Sequence, residues 1–342
     1  MSLRSLRGEQ TSQKLQSASH LEQDRKTVKD RNISLDILRL FMSFFVVGVH
    51  TGFLSDVSPL ASYLSINGIF RLSVPIFLLI SGFYSYSAFE GGRSRAWFKR
   101  VFYLYVFWMT FYAYLWLNPV DATVQPSYIV RVLLNGFGHL GYIAGLLGAG
   151  LLLYLLKGRG TPLLIASILV TFFTGVGLEY AYNTQELTPA LTDFLSNYWV
   201  SRNFLFYSFP FLMLGYLIRR HALHLKISLT AAIALSFCGI GLVLAESHMN
   251  YRLQVAYADN LAALMLACPA IFLLFSKLNI RGASKQLALY SVGIYFIHTF
   301  CMVILEKFTN LQATPLSLAT FAVSIAAAYV LIQVRKRFPF II

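Results

Sequence analysis

From residue 35 to residue 334 the chain repeats one pattern, a long apolar run followed by a short polar stretch. A helix needs roughly 20 mostly apolar residues to cross the hydrocarbon of a bilayer. The pattern predicts spans near 35–54, 63–88, 97–117, 139–156, 161–178, 201–218, 227–245, 259–276, 286–305 and 315–334. Segment 125–138 reads as a short interfacial helix. Lys157-Gly-Arg-Gly160 joins two spans and reads as a tight turn. Residues 1–31 are polar and hold no apolar run before a cleavage site, so they read as a basic cytoplasmic tail and not as a signal peptide. The fold class expected is an all-α integral membrane protein. About ten transmembrane helices, within 32–342, would surround a polar cavity.

Composition agrees with this. The chain is 57% hydrophobic and 12% charged, where soluble domains carry about 25% charged residues. A net charge of +14 invites a nucleic-acid reading. The placement of the charges argues against one. With the N-terminus inside, the inner segments 1–31, 90–100, 157–160, 219–226, 277–285 and 335–342 hold 22 of the 28 Lys and Arg. The outer loops hold only Arg131, Arg252 and Lys307, with the acids Asp56, Asp121, Glu179, Glu186, Asp193, Glu246, Asp259 and Glu306. This bias predicts that both termini are cytoplasmic. Cys238, Cys268 and Cys301 sit in apolar runs without CxxC spacing and read as small core residues.

The chemistry is expected from polar residues inside the spans, where charge is costly and usually functional. The first span carries Asp36, Arg39 and His50. Arg39 and His50 lie close to three turns apart, hence on nearly one helix face, separated by roughly 16 Å along the axis. Asp36 and Arg39 would lie toward the cytoplasm. His50, Arg71, His139, Arg202 and His298 would lie in the outer half, facing one another across the cavity. Pro75 is expected to kink the second span. A blander reading has Arg39 pairing with Asp36 or reaching the inner interface. His139 and Arg202 then become interfacial anchors, and His298 a satisfied core histidine.

Arg39 and His50, with ten residues between them, form an Arg-x10-His motif behind Leu35-Asp-Ile-Leu-Arg39. This resembles the opening of the membrane acyltransferase-3 family. Arg71-Leu-Ser-Val-Pro-Ile-Phe, followed by Ile80-Ser-Gly82, is similar to that family's second helix. So are Arg202-Asn-Phe-Leu-Phe-Tyr-Ser-Phe-Pro210 and the Tyr295-x-x-His298 pattern. His139-Leu-Gly141 stands where the family often has His-Leu-Trp, so the tryptophan is missing. The resemblance implies a stand-alone O-acyltransferase of the bacterial cytoplasmic membrane, without a fused extracytoplasmic domain. Its donor would be acyl-CoA, most often acetyl-CoA. Its acceptor would be a hydroxyl of a cell-envelope glycan or its lipid-linked precursor. His50 and Arg39 would be catalytic. Asp36, Arg71, Arg202, His139, Tyr295 and His298 would bind substrate. Membrane lipids are the other expected partner, and no metal is expected. Direct transfer and a transient acyl-histidine both remain open. A transporter or flippase, or a sensor for a glycan machine, would also use a polar path through the spans.

Overall fold

The computed structural model describes residues 31–117, 126–184, 187–197, 199–282 and 285–342. The expected tail 1–31 therefore lies, apart from Arg31, outside the described residues. The long helices are α1 (Ser34–Thr51), α2 (Ser73–Glu90), α3 (Ser94–Phe111), α4 (Gly141–Leu156), α5 (Thr161–Thr184), α6 (Phe209–Arg220), α7 (Leu229–Arg252), α8 (Leu264–Lys277), α9 (Gln286–Phe308) and α10 (Ala313–Arg335). Among the described residues, seven helical stretches are long and apolar enough to cross a membrane. The expected all-α membrane class is thus met. The helix over Pro126–Asn135 matches the short segment expected there, and residues 157–160 form the turn between α4 and α5.

Local chemistry sets the helix ends. Asn32 Oδ1 accepts from the Ser34 amide at 3.0 Å in the turn that leads into α1. Gly52, at a φ of 73°, closes it in the left-handed conformation that glycine adopts most easily. The second span is not one kinked helix. It comprises a helix at Pro59–Ile66, a tight turn at Ile69–Leu72 and then α2. The break precedes Pro75, which lies in the first turn of α2. There a missing N–H has no intrahelical carbonyl to lose, so proline fits without bending the helix. Helices α5 and α7 run to Thr184 and Arg252, past the expected ends at 178 and 245. Hydropathy loses sight of a helix once its residues turn polar. The extra turns carry Glu179 and Glu246, which matter below.

Bonds between loops sort the molecule into two ends. At the basic end Arg31–Asn32 pairs antiparallel with Arg281–Gly282. There Lys157 Nζ donates to the Phe89 carbonyl at 2.9 Å, Arg220 to the Lys157 carbonyl at 3.1 Å, and Lys277 to the Leu225 carbonyl at 2.8 Å. At the acidic end Tyr63 donates to the Val255 carbonyl at 2.7 Å. Thr314 donates to Asp56 at 2.6 Å, which holds that carboxyl below its usual range.

Helices α2 and α6 form the closest pair. Gly82 lies against the Leu212 backbone and Gly215 against the Leu79 backbone, so a Cβ at either would strike main chain. Small residues permit such close approach inside a membrane. Helix α9 packs against α1 and α10, and α7 against α8. Trp108, Tyr112, Phe209, Phe211 and Phe272 fill the core. Cys268 and Cys301 are buried as expected; Cys238 is exposed on α7, because the apolar run around it faces outward rather than inward.

Candidate active site

A cavity of about 510 Å3 opens near the acidic end between α1, the start of α2, the helix at Pro126–Asn135, the segments that lead into α4 and α6, and the loop of Tyr257 and Asp259. His50, Arg71, His139 and Arg202 line it, as the sequence led us to expect. His50 is the penultimate residue of α1. It is solvent-accessible, though protein surrounds it, because it faces the cavity. Its ring nitrogens make no hydrogen bond among the described residues, so they are open to a ligand.

Behind His50 stands a cluster. The His50 and His298 ring centroids are 5.4 Å apart, those of His139 and His298 4.9 Å, and those of His50 and His139 6.5 Å. His298 is fully buried and does not line the cavity. Its Nδ1 lies 2.7 Å from the Tyr295 carbonyl. A carbonyl can only accept, so Nδ1 carries the proton, and a neutral ring keeps its lone pair on Nε2. Thr299 Oγ1 bridges the ring pair, 2.9 Å from His139 Nδ1 and 3.4 Å from His298 Nε2. Tyr295 is buried and donates its hydroxyl to the His139 carbonyl. His298 and Tyr295 therefore back the cavity wall. The expected substrate contact by these two is not what the geometry offers, because one turn of α9 keeps both inside the helix packing. Among the described residues no group of three His, Cys, Asp or Glu is arranged to hold a metal.

The second cluster centres on Asp259. Its buried carboxylate accepts from Arg71 Nη1 and, at 3.1 and 3.2 Å, from Arg202 Nη1. Arg71 also donates to Asn67 Oδ1 at 2.8 Å and to Tyr257 Oη at 3.3 Å, with its guanidinium 4.3 Å from the Tyr257 ring centroid. Arg202 precedes a π-helical turn at Phe204–Ser208, where Asn203 caps the Leu205 and Phe206 amides at 2.8 and 2.9 Å. It was expected to open the sixth span. It lies in the turn before it, because π-helical winding delays the start of α6. Glu179 and Glu246 hold the loop that carries Asp259. Glu179 accepts from the Asp259 and Asn260 amides, and Glu246 from those of Ala262 and Ala263 at 2.7 and 2.8 Å.

Asp36 and Arg39 belong to a separate layer. Arg39 Nη1 lies 3.4 Å from Asp36 Oδ1 and its guanidinium 5.4 Å from the Tyr84 ring centroid. Neither residue lines the outer cavity. Phe77, Tyr142 and Tyr295 pack between the layers with ring centroids 5.4 to 6.1 Å apart, and Tyr142 bonds Ser81 at 2.9 Å. The placement follows from α2: Phe77 and Ser81 precede Tyr84 by two turns and one turn.

Asp259 was read as an ordinary acid of an outer loop, and Tyr257, Tyr207 and Thr299 were not singled out. A signal for Asp259 existed. Two arginines at one depth require a counter-charge, and Asp259 heads an apolar run at that depth.

A multi-pass helical membrane protein with a buried, histidine- and arginine-lined cavity is the class so defined. Residues 32–333 match the acyltransferase-3 family model, described as an acyltransferase domain. The chain belongs to the acyltransferase-3 family. Among curated proteins it is similar to an amino-acid racemase of Enterococcus faecalis, 23% identical over 328 residues, covering 90% of this chain and 46% of that protein. It is also similar to a serine/alanine racemase of Enterococcus gallinarum, 27% identical over 296 residues, covering 79% of this chain and 41% of that protein. The chain thus spans less than half the length of these relatives. No solved structure matches it significantly.

Proposed function

We propose that this chain is an O-acyltransferase of the bacterial cytoplasmic membrane. It moves an acyl group, most simply acetyl, from acyl-CoA to a hydroxyl of an envelope glycan or its lipid-linked precursor. The observation that carries this reading is His50, accessible from the cavity with its ring nitrogens open, in a chain of the acyltransferase-3 family. A neutral imidazole can take the hydroxyl proton as that oxygen attacks the thioester carbonyl. The C–S bond then breaks, and the CoA thiolate leaves and takes up the proton. His298 stands behind His50, their ring centroids 5.4 Å apart. Purified protein given labelled acetyl-CoA, with and without envelope extract, tests the reading. Label appearing in glycan supports it; an unchanged thioester pool in every condition rejects it.

The proposal includes ten spans with both termini cytoplasmic, supported by the charge bias and by the two sorted ends. Single cysteines introduced at Ser94 and Asn183 test this in intact cells. An impermeant reagent should label Asn183→Cys and spare Ser94→Cys. The reverse pattern would invert the protein.

Arg39 positions the donor near the basic end, where Lys and Arg are dense and suit CoA phosphates. Arg39→Ala should lower acyl-CoA turnover at least ten-fold, and Arg39→Lys should restore only part of it, because Lys lacks the planar fork. If Asp36→Asn combined with Arg39→Gln turns over like wild type, Arg39 is structural.

A second reading is transport. It rests on the cavity itself, a polar space lined by His50, Arg71, His139 and Arg202 within the spans. In that case the cavity passes a small solute, and thioester loss does not depend on His50.

A further inference from the structure

Among the residues that line the cavity at the acidic end, two cations face one anion, with the Glu179 carboxyl behind them on the Asp259 and Asn260 amides. Arg71 and Arg202 share a single carboxylate, that of Asp259. With the histidines neutral, these three are the charged residues lining the cavity.

The two guanidiniums are also incompletely used. Arg71 commits both terminal nitrogens to Asp259, Asn67 and Tyr257. Its Nε is buried and has no partner. Arg202 commits one Nη to Asp259 and rests 5.3 Å from the Tyr207 ring centroid. It remains 30% exposed. Among the described residues no acceptor meets its Nε or its second Nη. A buried donor without an acceptor is costly, and an arginine edge fits the oxygens of an oxyanion. Asp259 keeps the arginines from repelling each other when the cavity is empty. Of the lining residues it offsets one cation and not two.

The cavity's size, about 510 Å3, is the space of roughly seventeen waters at ~30 Å3 each. That volume is ample for a sugar-sized group.

We propose that the molecule delivered to His50 carries a single negative charge, a carboxylate or a phosphodiester, seated on the exposed edge of Arg202 beside Arg71. Calling it the acceptor rests on the acyltransferase reading; the anion site itself does not. A neutral sugar would leave the unused edge of Arg202 without an ionic partner. The carboxylate points to a sugar acid or other hydroxy acid, and the diester to a phosphodiester-linked envelope precursor.

The test uses the full chain in lipid nanodiscs at constant ionic strength and calorimetry with three probes: glucuronate, glycerophosphoglycerol and glucose. Glucuronate and glucose differ only at one carbon and in charge. At least one anion should bind ten-fold or more tightly than glucose, and which one does so separates the two sources. Arg202→Gln should abolish the preference, Arg202→Lys should keep part of it, and Lys307→Gln, remote from the cavity, should keep all of it. Equal binding of glucose and both anions, or binding by neither anion, overturns the proposal. So does an Arg202→Gln protein that retains the ten-fold preference. Should Arg202→Gln fail to fold, the comparison of glucuronate, glycerophosphoglycerol and glucose on wild-type protein still decides. Acetyl-CoA consumption is measured on the same preparation. Its absence beside an intact anion preference sinks the enzyme reading and leaves the site standing.

Discussion

His50→Ala abolishes acyl transfer and leaves the protein inserted and folded. The expected loss is large because a positioned base typically contributes 10²–10⁴-fold, and no other cavity-lining residue has ring nitrogens so open. The fold should tolerate the change. His50 makes no hydrogen bond among the described residues, and its side chain projects into space rather than into packing. Truncation therefore removes chemistry without leaving a buried partner stranded. Turnover and thermal unfolding are compared with wild type at matched expression. Near wild-type turnover removes His50 from the mechanism, whatever else the cavity does.

Asp259→Ala should be the most destabilising single change at the site. It strips the counter-ion from Arg71, which is buried, and from Arg202, which is partly exposed. Removing one partner of a buried pair typically costs about 3–5 kcal/mol. The exposed share of Arg202 places the expected loss toward the lower end of that range. Asp259→Asn should fall between Ala and wild type, since the amide still accepts one hydrogen bond but brings no charge. Adding Arg202→Ala to Asp259→Ala should recover part of the loss by removing one stranded cation. Thermal unfolding in detergent reads all three variants. An Asp259→Ala protein that melts with wild type would mean that the cluster contributes nothing to the fold.

Much of this was legible in the chain. Long apolar runs, each about a bilayer in length, announced the helices, and polar residues inside them announced the cavity. His50, Arg71, His139 and Arg202 could be placed at one depth by counting residues from a charge-oriented loop. What could not be read was who pairs with whom. The Arg71–Asp259 contact joins residues far apart in the chain, and helix spacing carries no information across such a gap. Pro75 misled for a related reason. Its effect depends on where the helix begins, and that break lies at Asn67 and Gly68, inside an apolar run that hydropathy reads as continuous. His298 stands beside His50 and His139, yet it and Tyr295 face helix packing and not the cavity. Depth comes from counting; azimuth comes from neighbours.

The rings of Phe77, Tyr142 and Tyr295, stacked between the Arg39 layer and the His50 cavity, have an electrical consequence. Moving one elementary charge through a membrane potential is worth about 2.3 kcal/mol per 100 mV. Two polar layers joined by water would short that potential. Three packed rings in that place would insulate it instead, so that the steepest part of the field would fall across aromatic carbon and not across either charged cluster. On the proposed reaction the uncharged thioester end of the donor would enter such a dielectric without electrical work, whereas its phosphates would not. The protein can therefore present charge at two depths while the membrane around it stays energised.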